Sequence, residues 1–294
     1  MAAYERKTWK NEIGRMIGEW RDYPLREGSL WAGEYRIESF IGMGSYGQAY
    51  AVREERSGRR LLLKRNRPSK KELGIRLLRR ENEILKALDH PQIPRWHRYV
   101  TRMRRGEEGL LMELLEGPSV ERAIGEDGLV FTETDSLKLV RELMRPLSYL
   151  HEAGYVHRDV RIPNVVMHGE RVVLIDYGLA CRIGEQLPDD LAKMLGDHAG
   201  AAPSRDGSWN EVRRRMRHPY PASDLYGTGH FMLFLLYSGY RAEEGQEERG
   251  WEEELELSPG CRGVIRRLLA DKPEDGLSSA AEYAKELDKL LART

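Results

Sequence analysis

Hydrophobic and polar positions alternate along one part of the chain and recur with a helical period along the rest. Short β-like runs fall at Tyr35 to Ile41, Gln48 to Arg53, Arg60 to Lys64, Trp96 to Met103 and Leu110 to Leu114, and one helical stretch, Lys70 to Leu88, interrupts them. The pattern predicts a small sheet carrying a single main helix. From Asp135 onward the apolar spacing becomes three and four: Leu137, Leu139, Val140, Leu143, Leu147 and Leu150 form one stripe, and similar stripes recur at 225–237, 264–269 and 280–291. That half reads as a helical lobe. Between the two textures, Glu113-Leu114-Leu115-Glu116-Gly117-Pro118-Ser119 carries the Gly-Pro punctuation of a connector. The expected class is therefore α+β, divided into an N-terminal extension at 1–33, a sheet lobe at 34–112, a connector at 113–119 and a helical lobe at 120–294.

Composition narrows the classes of function. A chain of 294 residues is long enough for two lobes with buried cores. Its 48 basic and 48 acidic side chains cancel, so no global field draws it to nucleic acid or to an anionic membrane. The longest apolar run, Phe231 to Tyr237, is far shorter than the roughly 20 residues that span a bilayer. It predicts a buried helix instead. The N-terminus lacks the apolar core of a secretory signal, and the two cysteines, Cys181 and Cys261, form neither a disulfide framework nor a zinc site, so a cytoplasmic location is expected. Within the extension, Trp9, Ile13, Met16, Ile17 and Trp20 share a helical face. Such a face packs on the body of a protein or meets a partner or membrane surface, and the sequence leaves both open. The acidic runs at 243–248 and 252–254 read as solvated loop.

The chemistry begins with Gly42-Met43-Gly44-Ser45-Tyr46-Gly47, a G-x-G-x-x-G pattern that is weak alone because dinucleotide-binding folds share it. Here the next residues, Gln48 to Val52, are strand-like, and the region about 20 residues on holds Arg65-Asn66-Arg67-Pro68 rather than a ribose-binding acid. The glycines are thus expected in a hairpin turn, where backbone N–H groups can approach phosphates. Lys64 closes the apolar run Leu61-Leu62-Leu63, and an ammonium leaving such a strand requires a carboxylate, for which Glu81 and Glu83 are the candidates. Further on come His157-Arg158-Asp159-Val160-Arg161-Ile162-Pro163-Asn164 and, after the short apolar run Val172 to Ile175, Asp176-Tyr177-Gly178.

Five motifs in this order and at these separations resemble the protein kinases of the eukaryotic Ser/Thr and Tyr type, over about residues 35 to 291. The resemblance implies a bilobal fold, with an antiparallel sheet and one helix in the small lobe, and Mg²⁺-dependent transfer of the ATP γ-phosphoryl group. It implies that Lys64 holds the α/β-phosphates and Glu81 fixes Lys64, that Asn164 and Asp176 bind Mg²⁺, and that Asp159 takes the hydroxyl proton while Arg161 balances charge on the moving phosphoryl group. It implies contacts to the nucleotide from Gly42, Gly44 and Gly47, an adenine site lined by Ala49, Leu62, Met112 and Val166, and backbone hydrogen bonds from Glu113 and Leu115. Asp224, in Asp224-Leu225-Tyr226-Gly227, would brace the catalytic loop.

Departures from the pattern bear on the acceptor. Ala49 and Leu62 exchange the usual large and small residues over adenine, Arg161 stands where Ser/Thr kinases carry Lys, and Tyr177 replaces Phe. No A-P-E triplet follows; Trp209-Asn210-Glu211 is its counterpart by spacing, and the distant Arg expected to pair with Glu211 is missing near Gly276. Arg158 suggests a loop ordered by phosphate, with Ser204 and Ser208 as candidate sites of self-phosphorylation. A Ser/Thr protein kinase with a protein substrate is the leading reading. A small-molecule kinase and a silent nucleotide-binding scaffold are the alternatives.

Overall fold

A computed structural model describes residues 22–102, 106–195, 209–241, 249–270 and 275–293. They fall into two compact units, one of residues through Lys86 together with Arg95–Leu114, the other of Ala87–Pro94 and the chain from Leu115 onward. Of the acidic stretch expected as solvated loop, residues 252–254 instead fall in a short helix, Trp251–Glu254, whereas 242–248, the candidate sites Ser204 and Ser208 and the helical face from Trp9 to Trp20 lie outside the described residues.

The first unit is a six-stranded antiparallel sheet with one long helix. Its strands are β1 (Leu30–Trp31), β2 (Tyr35–Met43), β3 (Gly47–Glu54), β4 (Arg60–Asn66), β5 (Trp96–Arg102) and β6 (Glu107–Glu113), in the order β1-β2-β3-β4-β6-β5. Alternation explains the sheet: Leu61 and Leu63 of β4 point to one face, where they join Trp31, Tyr35, Ile37, Tyr50, Val52 and Leu111 in a closed apolar cluster. The opposite face carries Leu62 and Lys64, and the helix α1 (Lys71–Ala87) supplies the partner for Lys64. Strands β2, β3, β4 and β6 all run further than their apolar patterns predict, and in β4 and β6 the added residues include buried polar ones. Strand β4 continues through Arg65 and Asn66, both buried, because Gln48 accepts from Arg65 Nε at 2.8 Å and Asn66 accepts from Glu108 N at 2.9 Å. Lys64 consequently lies inside the strand instead of closing it. Strand β6 starts at Glu107 because buried Glu108 accepts from Arg79 of α1 and from the Tyr99 hydroxyl. Polar side chains with such partners sit in a sheet at little cost.

The second unit is mostly helical. Its helices are α2 (Val120–Gly125), α3 (Glu133–Glu152), α4 (Asp189–Leu195), α5 (Trp209–Met216), α6 (Pro221–Tyr237), α7 (Trp251–Glu254), α8 (Pro259–Leu268) and α9 (Ala280–Leu291). Helix α3 begins on a capping box in which Thr132 and Asp135 satisfy each other's backbone N–H groups, and it buries the predicted stripe from Leu137 to Leu150. Helix α6 contains the apolar run at 231–237 and is buried along most of its length. Residues 87–94 belong to this unit because the Gln92 amide donates to Glu142 O at 3.1 Å and Val172 O at 2.9 Å, and Gln92 O accepts from Leu174 N at 3.0 Å. Two hairpin-like pairs complete it, β7 (Tyr155–Val156) with β10 (Cys181–Arg182), and β8 (Val165–His168) with β9 (Arg171–Leu174). Within the connector, Gly117 adopts φ 134°, and a Cβ there would lie 2.0 Å from Met167 O, so only glycine lets the segment run beside β8.

Candidate active site

In the first unit, the candidate residues gather on one sheet face and at the adjoining turn. Gly44 N donates to Gly47 O at 2.9 Å, closing a tight turn between β2 and β3, with Gly42 paired opposite Ala49 just before it. Ala49 in turn pairs with Lys64, and Leu62 pairs with Met112, so all four side chains project from the same face. Lys64 Nζ and Glu81 Oε2 are 2.7 Å apart, with the Glu81 side chain only 2% exposed. Glu81 is therefore the carboxylate that Lys64 requires. Asn82, its neighbour on α1, accepts from Trp96 Nε1 at 2.9 Å, and Arg79 pairs with Glu108, so the helix is fixed to the sheet on both sides of Glu81. Glu113 N donates to Arg95 O at 2.9 Å, so this backbone N–H, expected at a nucleotide, is already engaged within the unit.

In the second unit, the candidates sit on short loops. Asp159 and Asn164 are joined directly: Asn164 Nδ2 donates to Asp159 Oδ2 at 2.8 Å and to Asp159 O at 2.9 Å. Using both amide hydrogens this way leaves Asn164 Oδ1 as an acceptor with no donor among the described residues. Arg161 Nε lies 2.8 Å from Asp159 Oδ1, so the guanidinium flanks the same carboxylate from the other side. Asp176 adopts a left-handed conformation, φ 66°, with its carboxylate accepting from Gly178 N at 3.3 Å. Ile175 N donates to Asn164 O at 2.8 Å, which ties the two acidic loops together. Val166 is buried on β8, and Leu115 opens the segment that runs to Ser119, whose backbone bridges to Val166.

A buried carboxylate holds this arrangement. Asp224 accepts from His157 N at 2.8 Å, Arg158 N at 2.7 Å and His151 Nε2 at 2.9 Å. Burial opposes its ionisation, and the His151 contact with these backbone donors overcomes that penalty and holds its pKa below the ordinary carboxylate value. His157 completes the frame. Its Nδ1 accepts from Asp159 N at 3.3 Å, which assigns the ring proton to Nε2, facing Ile175 O at 3.1 Å. Its ring also meets the edge of Tyr177 at a centroid distance of 4.8 Å.

Two expectations change. Arg158, expected at a phosphate, is buried and donates to Arg217 O at 2.5 Å and Leu179 O at 3.1 Å. Glu211, expected to lack its partner, pairs with Arg214 one turn along its own helix. The part played by His151 had no signal in the sequence, because 73 residues separate it from Asp224.

The donor set fits a hard cation: an amide oxygen and a carboxylate, with no cluster of three or more His, Cys, Asp or Glu among the described residues. An ion held by so few protein oxygens takes its remaining ligands from phosphate and water, as Mg²⁺ does. Residues 35–287 match the protein kinase domain family. The chain belongs to that family. As a protein kinase it is a phosphotransferase, and its sequence is 29% identical over 256 residues to the "Probable serine/threonine-protein kinase YbdM" of Bacillus subtilis, covering 86% of this chain and 88% of that one. It is also 27% identical to the "Serine/threonine-protein kinase F" of Synechocystis, covering 88% of this kinase but 56% of that longer protein. Among solved structures, the kinase domain of Mycobacterium tuberculosis PknI superposes with a TM-score of 0.64 at 22% identity, covering 91% of this chain and 99% of the other, a likeness of fold. No helix among the described residues of the kinase is long and apolar enough to cross a membrane.

Proposed function

We propose that this kinase transfers the γ-phosphoryl group of ATP to a Ser or Thr hydroxyl of a protein, in a reducing cytoplasm that keeps the buried Cys181 and Cys261 as thiols. One observation carries the reading: the Asp159 carboxylate is aimed by an Asn164 amide whose own oxygen is left to a cation. Asp159 accepts the acceptor hydroxyl's proton as the new O–P bond forms, and the bond to ADP breaks on the far side of phosphorus. Lys64 Nζ, oriented by Glu81, grips phosphate oxygens, and Arg161 offsets charge beside the reacting group. Bound Mg²⁺, held by Asn164 Oδ1 and Asp176, neutralises those oxygens. Gly42, Gly44 and Gly47 admit the phosphates, and Ala49, Leu62, Met112 and Val166, with the backbone of Glu113 and Leu115, receive the adenine. Self-phosphorylation at Ser204 or Ser208 belongs to the same proposal.

The test is phosphate transfer from labelled Mg-ATP to a basic protein and to the kinase itself, beside free sugars and lipids as acceptors, with Asp159→Asn as control. Transfer to protein that disappears in the control supports the reading. Equal transfer by the control refutes the role of Asp159, and acceptance by small molecules alone moves the enzyme to another substrate class.

A further inference from the structure

The glycine-rich turn is gripped from behind by a residue that belongs to the N-terminal extension. Asp22 precedes β1, and its side chain is 1% exposed. Its carboxylate accepts from Arg67 Nη2 at 2.6 Å and Nε at 2.8 Å, and from Ser69 N at 2.9 Å and Ser69 Oγ at 2.6 Å. Arg67 has one further arm: Nη1 donates to Gly44 O at 3.2 Å and to Ser45 O at 3.5 Å, while its backbone N donates to Tyr46 O at 2.9 Å. Three successive carbonyls of the turn therefore face a single residue.

The consequence follows from peptide geometry. Every described peptide is trans, so a carbonyl and the N–H of the same peptide plane point in opposite directions. With the Gly44 and Ser45 carbonyls turned to Arg67, the N–H groups of Ser45 and Tyr46 project from the other side of the turn. Neither has an acceptor among the described residues. Two adjacent outward N–H groups form a concavity suited to an anion. The turn is also closed against α1, where a Cβ on Gly74 would lie 2.8 Å from Tyr46 O. The extension is strapped to the sheet independently, since buried Gln48 donates to Asp22 O and Leu25 N donates to the Tyr50 hydroxyl at 3.1 Å.

We propose that Asp22 is a positioning residue for nucleotide binding: it fixes the Arg67 guanidinium on the carbonyls of the glycine turn, and so holds the Ser45 and Tyr46 N–H groups outward for the phosphates. The proposal rests on the kinase reading above. It assigns a role to the extension and to the basic residues after β4, neither of which the family motifs include. The four hydrogen bonds to Asp22 keep the clamp charged against the cost of burial.

Calorimetric titration of the full chain with a non-hydrolysable Mg-ATP analogue and, separately, with adenosine tests it. Asp22→Asn and Arg67→Lys each remove the two-armed pairing. Both are expected to weaken the analogue about tenfold and to raise KM for ATP while kcat stays within about twofold, with adenosine affinity unchanged. Unchanged analogue affinity in both variants overturns the proposal. If Asp22→Asn fails to fold, seen as lost adenosine binding, Arg67→Lys decides; equal loss of both ligands in both variants marks a merely structural contact and also overturns it. A wild-type protein that binds neither ligand removes the kinase reading itself, a failure distinct from the variants' failure to differ.

Discussion

The two units hold their chemistry in opposite ways. In the first, Lys64 and Glu81 stand on regular elements, and the contacts that fix them, Arg79 with Glu108 and Trp96 with Asn82, lock a helix to a sheet. In the second, Asp159, Asn164 and Asp176 stand on short loops with almost no regular hydrogen bonding of their own. There a single buried carboxylate, Asp224, receives the backbone of the catalytic loop. Regular elements position side chains through pattern, whereas loops need a dedicated polar anchor, and that anchor is paid for in desolvation.

Variants can break this contrast, and the largest effect is expected at the loop carboxylate. Asp159→Asn keeps the size but puts a donating NH2 where a carboxylate oxygen accepted and removes the proton acceptor, so transfer should fall about 10²- to 10⁴-fold with little change in unfolding midpoint, read by steady-state kinetics beside denaturant melts. Asp224→Ala should cost about 3 to 5 kcal/mol of stability, because it orphans two buried backbone donors and His151 together. A loss below about 1 kcal/mol would show that the loop holds itself.

Acid should strike the helical unit through His230. Burial, and then the nearby Arg215 charge, hold its pKa down to about 4. The unfolded chain, with a histidine pKa of about 6.5, therefore binds the proton first, and stability drains away as pH falls from about 6.5 towards 4. Between pH 7 and pH 4.5 this amounts to about 2 to 3 kcal/mol, and His230→Gln should flatten that part of the pH dependence of thermal unfolding. The smallest effect belongs to the sheet unit: Arg79→Ala should cost about 1 kcal/mol, since its guanidinium is largely exposed and Tyr99 still donates to Glu108.

The same contrast decides what could be read from sequence. Strands β2 to β6 and helices α1, α3, α6 and α9 follow from alternation and helical stripes, and Glu81 could be narrowed to one of two carboxylates by requiring a partner for Lys64. Where strands extend into Arg65, Asn66, Glu107 and Glu108, pattern fails because the partners that make those polar residues acceptable, Gln48, Arg79 and Tyr99, are distant along the chain. Asp159, Asn164 and Asp176 have no periodicity at all. They were visible only through the order of the motifs, which is why the resemblance supplied their roles and the brace at Asp224 but not His151, which shares that carboxylate. Arg158 was misread for a related reason: its left-handed backbone, φ 68°, turns the side chain inward to carbonyls that no local pattern announces.

The most direct measurement is a double-mutant cycle between the units on kcat/KM for phosphoryl transfer, using Lys64→Met and Asp176→Asn. If ammonium and carboxylate serve the same phosphoryl group, each single change should cost about 10²-fold or more and the pair little beyond the worse of the two. Losses that multiply, or a Lys64→Met enzyme as fast as the parent, would contradict the account.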